Sequence, residues 1–179
     1  DEHRKSIVSH GFQAIWNIGV DQSWLKIVSN LWIGGYYANT NRVKEAVPLL
    51  DAVIEHSPQH RFALLSRAEC LMSLKEPKIS IADLNRILDP NPGDAIARQK
   101  LALAYAASGD DAKCSNEFAS VLRLDVKRLP EIARDIGQHA TLLAKDRTER
   151  ANDWLLLIFT SIHKVLPNGD EKRQLTMTL

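Results

Sequence analysis

The sequence predicts an all-α fold, an α-α superhelix in which antiparallel helix pairs stack in chain order. Three observations lead to this prediction. The sequence repeats with a period of 34 residues, small and large side chains alternate at fixed places within each period, and turn-forming residues recur between them. A period of roughly 20 to 50 residues is typical of stacked repeats, each of which needs its neighbours to bury its apolar side.

The three periods are residues 27–60, 61–94 and 95–128, which align without a gap. In each block the eighth and twentieth residues are small, whereas the eleventh, twenty-fourth and twenty-seventh are mostly large. These residues are Gly34, Ala68 and Ala102; Ala46, Ser80 and Cys114; Tyr37, Leu71 and Tyr105; Leu50, Leu84 and Phe118; and Val53, Ile87 and Val121. Small residues let two antiparallel helices approach closely, and large residues fill the space beside that contact. Each block is therefore predicted to be one helical hairpin.

Turn-forming residues divide each block into two helices. They are NTN at 39–41, LKEP at 74–77 and SGDD at 108–111, and such residues favour turns over helix. Pro58 and Pro92 follow the second helices of the first two blocks, where proline ends a helix because it lacks a backbone N–H. The third block has Val126 at this position.

These residues resemble the tetratricopeptide repeat, a helical hairpin with the consensus W-x2-L-G-x2-Y, then A-x3-F, A and P. The first block matches best, through Gly34, Tyr37, Ala46, Leu50 and Pro58. The second block is looser, because it has Leu71 for the aromatic residue and Ser80 for the alanine. The resemblance implies a solenoid of three full repeats that binds other proteins and is not an enzyme.

Gly34 and Gly35 could instead belong to a phosphate-binding loop. Such a loop needs a strand, a glycine-rich turn and a helix in that order, and no strand pattern precedes Gly34. The resemblance implies that Gly34 lies at the crossing of two helices. Gly35 costs about 1 kcal/mol of helix propensity relative to alanine, and we expect its side of the helix to be open.

Both ends of the stack should carry atypical units, because the terminal repeats would otherwise expose apolar surface. We predict N-terminal capping helices in residues 1–26, the first at 4–18 and the second continuing into the first repeat. Residues 129–166 are predicted to form a degenerate fourth repeat or a capping helix pair. Residues 167–179 are polar and are predicted to be a flexible tail.

In this family the first helices of successive hairpins line a concave groove. Carrying the family's groove positions over to this sequence gives a mainly apolar set, with several aromatic or aliphatic anchors and one charge of each sign. The residues that we single out for peptide binding are Leu31, Trp32, Asn39, Phe62, Leu65, Glu69, Met72, Gln99, Lys100 and Leu103. Such a groove suits a peptide or an amphipathic helix of a partner protein.

Some family members hold the acidic C-terminal tails of heat-shock chaperones with a clamp of Lys, Asn and Arg side chains. The five clamp positions are occupied here by Leu31, Gly35, Ser66, Ile96 and Lys100. Because only one of them is cationic, a carboxylate would find too few donors to replace its water. We therefore expect no chaperone-tail clamp.

Alternatives remain for the groove, because exposed apolar patches above a few hundred Å² are unusual in monomers. The protein's own Trp16, Trp24 or Trp154 could cover it, as in a structural module. A second copy could cover it in a homo-oligomer. A further version is a secretion-type chaperone, since chaperones with three such repeats shelter hydrophobic segments of exported proteins.

The net charge, the apolar runs and the cysteines indicate which classes of partner the protein can bind and in which compartment it acts. With 23 basic and 22 acidic residues, the net charge is +1, which creates no broad field for nucleic acid or anionic lipid. The longest strongly apolar run, at 154–159, is too short to cross a bilayer. Cys70 and Cys114 lie in apolar helical patterns and are predicted to be reduced, which favours the cytoplasm.

No catalytic site, metal site or cofactor is predicted. His56 and His60 are four residues apart, but Pro58 between them prevents one helical face from presenting both. His139 and His163 are predicted to be partly buried residues of the end helices. The sequence contains no HExxH motif, Walker loop or serine elbow.

Overall fold

The computed structural model describes residues 22–146, 148–166 and 169–170. Within these ranges the chain forms α-helices and one 3-10 turn, without a β-strand, which confirms the all-α prediction. The predicted helix at 4–18, Trp16 and most of the tail at 167–179 lie outside the described residues. The helices are α1 (Gln22–Asn39), α2 (Val43–His56), α3 (Arg61–Ser73), α4 (Pro77–Leu88), α5 (Ala95–Ser108), α6 (Asp111–Leu124), α7 (Leu129–Asp146) and α8 (Thr148–Val165), with the 3-10 turn at Val126–Arg128.

The helices pack in chain order as antiparallel pairs. Helix α1 packs on α2, α3 on α4 and α5 on α6, while α2 also packs on α3 and α4 on α5. Helices α1, α3 and α5 contact one another in succession, and we call these three helices the first-helix row. This arrangement is the stacked superhelix that the 34-residue period predicts.

The turn inside each hairpin has the same backbone geometry. The fifteenth residue of each block is left-handed, with φ of 61° at Asn41, 63° at Lys75 and 81° at Gly109. The next backbone N–H donates to the carbonyl five residues earlier, over 2.9 Å at Arg42, 2.8 Å at Glu76 and 3.0 Å at Asp110. This is the hydrogen bond that closes a helix C-terminus, so the turns keep the same register as the side chains.

The last residue of a block caps the next first helix. His60 Nδ1 accepts the N–H of Ala63 at the start of α3 over 3.3 Å, and Asp94 Oδ1 accepts the N–H of Ala97 in α5 over 3.1 Å. Capping supplies a partner for helix N–H groups that would otherwise have none. His60 therefore has a structural role.

Close packing at the first crossing requires Gly34. A Cβ atom on this residue would lie 3.1 Å from Leu50 Cγ and 3.3 Å from Leu49 Cβ. Since Leu50 is fully buried, α1 and α2 can be this close only without a side chain at position 34. The interpretation of Gly34 as a helix-crossing residue agrees with this contact.

The C-terminal helix pair packs differently from the repeats. In the repeats, the second helix of one pair packs on the first helix of the next pair, whereas α6 packs mainly on α8. Helix α8 places Trp154, Ile158 and Ile162 in one buried cluster with Phe118 of α6. Trp154 is only 2% exposed. The alternative that it covers the groove is therefore wrong, because its indole fills the C-terminal core.

Both cysteines are free and buried, and burial raises the pKa of the Cys70 and Cys114 thiols. The prediction that Cys70 and Cys114 lie in the apolar core agrees with their burial. In the described part of the chain, no helix combines the length and the apolar character needed to cross a membrane.

Candidate binding groove

A recess of about 370 Å³ opens at the N-terminal end of the first-helix row. We call it the aromatic recess. Trp32 is 75% exposed, Tyr36 is 62% exposed and Phe62 is 47% exposed. Trp32 and Tyr36 share one face of α1 because they are four residues apart. The lining residues are Leu31, Trp32, Gly35, Tyr36 and Asn39 of α1 and Phe62 of α3.

Gly35 is covered by the Phe62 ring, although we expected its side of the helix to be open. A Cβ atom on Gly35 would lie 3.0 Å from Phe62 Cε1 and Cζ, and Gly35 itself is buried. The missing side chain lets the ring approach α1 closely, and the ring forms one wall of the recess. The expectation of an open face was wrong, because it considered α1 alone and not the ring that α3 supplies.

A second recess, of about 270 Å³, lies further along the first-helix row. We call it the Ser80 recess. Its lining residues are Ala68, Glu69 and Met72 of α3, Ser80 of α4, and Lys100 and Leu103 of α5. Lys100 Nζ lies 2.9 Å from Glu69 Oε1. The two charged residues singled out from the sequence therefore neutralise each other across neighbouring repeats.

The ten residues singled out from the sequence do not all line a recess. Leu65 is partly buried and packs against the core. Gln99 is only 7% exposed, and its Nε2 donates to Asp135 Oδ2 over 2.6 Å while its Oε1 accepts from Arg128 Nη2 over 2.8 Å. Gln99 therefore joins α5 to α7 and to the 3-10 turn. Both the nitrogen and the oxygen of its side-chain amide therefore already have partners within the protein.

Four lining residues of the two recesses are not among the ten singled out from the sequence, namely Gly35, Tyr36, Ala68 and Ser80. Tyr36 is not a groove position of the family, but its spacing of four from Trp32 could have placed it on the same face. Ser80 belongs to a second helix, which was not considered as part of the groove. The signal for Ser80 was its polarity at a packing position where the family has alanine.

The five clamp positions offer no unpaired cation. Lys100 is the charged member of the set, and its ammonium group pairs with Glu69. Ser66 is 9% exposed and Gly35 is buried. A carboxylate at these five positions would therefore meet a single ammonium group, which already has a carboxylate partner.

A charged network holds the middle of the first-helix row. Arg67 of α3 binds Asp83 of α4 with two hydrogen bonds of 2.8 and 2.6 Å, and Asp51 of α2 with one of 2.6 Å. Hydrogen bonding to Asp83 and Asp51 raises the pKa of Arg67. Bidentate pairs of this kind restrict orientation as well as distance, so the network fixes α3 between its two neighbours.

His139 lies in the C-terminal core and not in the groove. Its ring centroid is 4.8 Å from that of Trp154, and burial lowers its pKa. Across the described ranges, no three or more His, Cys, Asp or Glu side chains are grouped as a metal site would require.

Neither protein-family models nor curated protein sequences match this chain, but solved structures do. The first TPR domain of Spaghetti (RPAP3), bound to the HSP90 peptide SRMEEVD, aligns with a TM-score of 0.58 at 20% identity, over 71% of this chain and 98% of that chain. The TPR2B domain of yeast Sti1, in complex with pHsp70, aligns with a TM-score of 0.52 at 17% identity. The alignment covers 78% of this chain and 98% of that chain.

A third similar structure is MamA, residues 41 to the end, from Desulfovibrio magneticus RS-1. Its TM-score is 0.56 at 23% identity, over 78% of this chain and 75% of that chain. At these identities the likeness concerns the fold. The chain has the tetratricopeptide-repeat fold, with its helix pairs, its turns and its small-residue crossing in the register that the period predicts.

Proposed function

We propose that this protein is a non-catalytic interaction scaffold that binds an apolar peptide or an amphipathic helix of a partner protein along its first-helix row. The observation that carries the proposal is the aromatic recess, in which Trp32, Tyr36 and Phe62 are all between 47% and 75% exposed. Aromatic side chains around a concave site are typical anchors of protein interfaces, because they bury large areas with few rotatable bonds.

The similar structures support a peptide as the class of ligand. The RPAP3 domain is bound to an HSP90 peptide and the Sti1 domain is in complex with pHsp70. The ligand of this chain should differ in chemistry, because its groove has Leu31 and Gly35 at two clamp positions and a paired Lys100 at another. An apolar side chain of the ligand would lie between Trp32 and Phe62.

The test compares Trp32→Asp with Leu156→Asp. Leu156 is a matched control, since it is 64% exposed on α8 and Trp32 is 75% exposed on α1. Each tagged protein is used to capture partners, which are quantified by mass spectrometry, and each is titrated with an environment-sensitive apolar dye. We expect Trp32→Asp to lose both the specific partner and the dye, and Leu156→Asp to retain both.

Retained binding by Trp32→Asp, with helicity unchanged, would show that the aromatic recess is not the binding site. Phe62→Asp should also abolish binding. Phe62→Asp separates binding from structure less well than Trp32→Asp does. The Phe62 ring packs on Gly35, so its loss removes a wall of the recess as well as an anchor.

The same exposed aromatic residues favour a second candidate, a structural or oligomerising module in which another copy or the chain's own terminus covers the row. Trp24 and Ile33 of α1 are also 53% and 43% exposed, which enlarges the apolar surface. Light scattering separates the candidates. A dimer that Trp32→Asp converts to a monomer supports oligomerisation, whereas a wild-type monomer that binds the dye supports the open groove or its secretion-chaperone version.

We also propose that the protein acts in the cytoplasm. Free, buried cysteines such as Cys70 and Cys114 suit a reducing compartment, where disulfides are rare. Fractionation of cells that express the tagged protein tests this location, and recovery outside the cytoplasmic fraction would contradict it.

A further inference from the structure

One side of α1 is exposed where the equivalent sides of α3 and α5 are buried. Ile33 and Tyr36 of α1 are 43% and 62% exposed. Cys70 and Ala104, at the place of Tyr36 in the next two blocks, are 1% and 0% exposed, and Leu101, at the place of Ile33, is 2% exposed. We call the side of α1 that carries Ile33 and Tyr36 its outer face.

In the second and third blocks, the preceding second helix covers this side. Helix α2 packs on α3 and α4 packs on α5, and Cys70 and Ala104 belong to one buried cluster with Ile54 of α2. Arg67, at the place of Ile33 in the second block, donates to Asp51 of α2 over 2.6 Å. Among the described residues no helix precedes α1, so its outer face lacks the cover that α3 and α5 have.

Residues 4–18 have the sequence pattern of a helix that would supply this cover. In a helix, which turns by about 100° per residue, the polar residues from position 6 onward would fall within one arc of about 100° and the apolar residues outside it. Gly11, Ile15 and Ile18 also have the spacing of the small and large packing residues of α2. The polar residues are Ser6, Ser9, His10, Gln13 and Asn17.

The length of this segment fits the same place. The second helices α2, α4 and α6 have 14, 12 and 14 residues, and residues 4–18 are similar in number. The connections from a second helix to the next first helix are residues 57–60 and 89–94, whereas residues 19–21 join this segment to α1. Connections this short make consecutive helices antiparallel neighbours. A helix formed by residues 4–18 therefore has to lie beside α1.

The neighbours of α1 leave the outer face for such a helix. Leu50 of α2 approaches α1 at Gly34, and Phe62 of α3 approaches it at Gly35. The remaining apolar side is the one that carries Ile33 and Tyr36, and the repeats use its equivalents for a second helix.

We propose that residues 4–18 fold back on α1 as an amphipathic helix and cover its outer face, in the place that a second helix takes in the later repeats. The helix completes the packing of the first repeat and leaves the first-helix row accessible. Tyr36 lines the aromatic recess as well, so the same contact restricts the ring that forms a wall of the recess. This inference does not depend on the proposed function, because it concerns a contact within the chain.

Thiol labelling of the full-length protein tests the proposal. Ile15→Cys places a thiol in the apolar arc of the segment, and Gln13→Cys, the matched control, places one in the polar arc two residues away. The native Cys70 and Cys114 are 1% and 0% exposed and should react slowly with a maleimide. We expect the thiol at position 15 to react at least about tenfold more slowly than the thiol at position 13, because the docked segment has to open first.

A second substitution in each cysteine variant identifies the face that is covered. Ile33→Asp puts a charge on the outer face and should bring the rate at position 15 within about twofold of the rate at position 13. Phe62→Asp is the matched control, since Phe62 is 47% exposed and Ile33 is 43% exposed, and it should leave the protection unchanged. Circular dichroism checks that helicity is retained, and Tyr36→Asp replaces Ile33→Asp if it is not.

Three results would overturn the proposal. Equal rates at positions 13 and 15 without a second substitution would mean that the segment is not docked. Protection that Ile33→Asp leaves unchanged would place the contact elsewhere, and in the groove if Phe62→Asp removes it. Protection that disappears on dilution, together with a dimer in light scattering, would assign the outer face to a second copy. Capture of a partner by Trp32→Asp is measured separately, so the failure of either proposal can be recognised by itself.

Discussion

Gly34 and Gly137 form a matched pair for testing how tightly the first hairpin is packed. Both glycines lie inside helices, α1 and α7 respectively. A Cβ atom on Gly34 would lie 3.1 Å from Leu50 Cγ and Cδ2 and 3.3 Å from Leu49 Cβ, whereas one on Gly137 meets nothing within 4 Å among the described residues. The same substitution is therefore crowded at one site and free at the other.

The two Gly→Ala variants should change stability in opposite directions. Alanine gains about 1 kcal/mol of helix propensity over glycine at both sites. At Gly137 nothing opposes this gain, so the free energy of unfolding should rise by about 0.4 to 1 kcal/mol. At Gly34 overpacking costs about 1 to 3 kcal/mol, and the fully buried Leu50 has little room to move. The net loss at Gly34 should be up to about 2 kcal/mol, and Gly34→Leu should lose more than Gly34→Ala.

Urea unfolding followed by circular dichroism measures these differences as midpoint shifts at constant m-value. In thermal melts, each kcal/mol should move the midpoint by about 2 to 4 °C for a chain of this size. Adding Leu50→Ala to Gly34→Leu should give a coupling energy of about 1 kcal/mol or more, because the new side chain can occupy the vacated space. If Gly34→Ala stabilises the protein as much as Gly137→Ala does, the crossing is not close-packed and the assigned register is wrong.

Three further predictions concern the turns, the charged network and the C-terminal core. Lys75 is left-handed at φ 63°, which costs a residue with a side chain about 1 to 2 kcal/mol; Lys75→Gly should raise the urea midpoint, whereas Gly109→Ala, at φ 81°, should lower it. Arg67→Met leaves the 2% exposed Asp83 side chain without its main partner. Urea unfolding should show that the free energy of unfolding falls by about 3 to 5 kcal/mol. An additional Asp83→Leu substitution should recover part of that loss, and no recovery would argue against a buried pair. Burial lowers the pKa of His139, so the unfolded chain takes up the proton at a higher pH than the folded chain. Stability should therefore fall as the pH drops below the ordinary histidine pKa of about 6.5, and thermal melts of His139→Gln should show a smaller fall than wild type; equal falls would contradict the assignment.

Much of the fold could be predicted from the sequence because the information is local and repeated. Turn residues at 39–41, 74–77 and 108–111 coincide with the ends of α1, α3 and α5. Small residues such as Gly34 mark the crossing because two backbones cannot approach across a large side chain. Because the pattern occurs three times, a residue that departs from it in one block can be aligned with the matching residues of the other two blocks.

The candidate groove could be predicted only in part. The family's positions led to Trp32 and Phe62, which meet in one recess. They also led to Gln99, whose amide is used by Asp135 and Arg128. These partners belong to α7 and the 3-10 turn, and a repeat pattern contains no information about residues that follow the repeats.

The sequence by itself determined the period, the helix pairs and the small-residue crossings, because these depend on side-chain sizes within one hairpin and its nearest neighbour. The tertiary structure decided that Phe62 covers Gly35, that α8 packs on α6, and that the Ser80 hydroxyl group finds no hydrogen-bond partner among the described residues. Each of these depends on which atoms of distant segments reach a given point at distances of 3 to 4 Å, as the 3.0 Å approach of Phe62 to the Gly35 Cβ position shows. Side-chain size and spacing along a chain cannot specify such distances, because they arise only when the helices have packed.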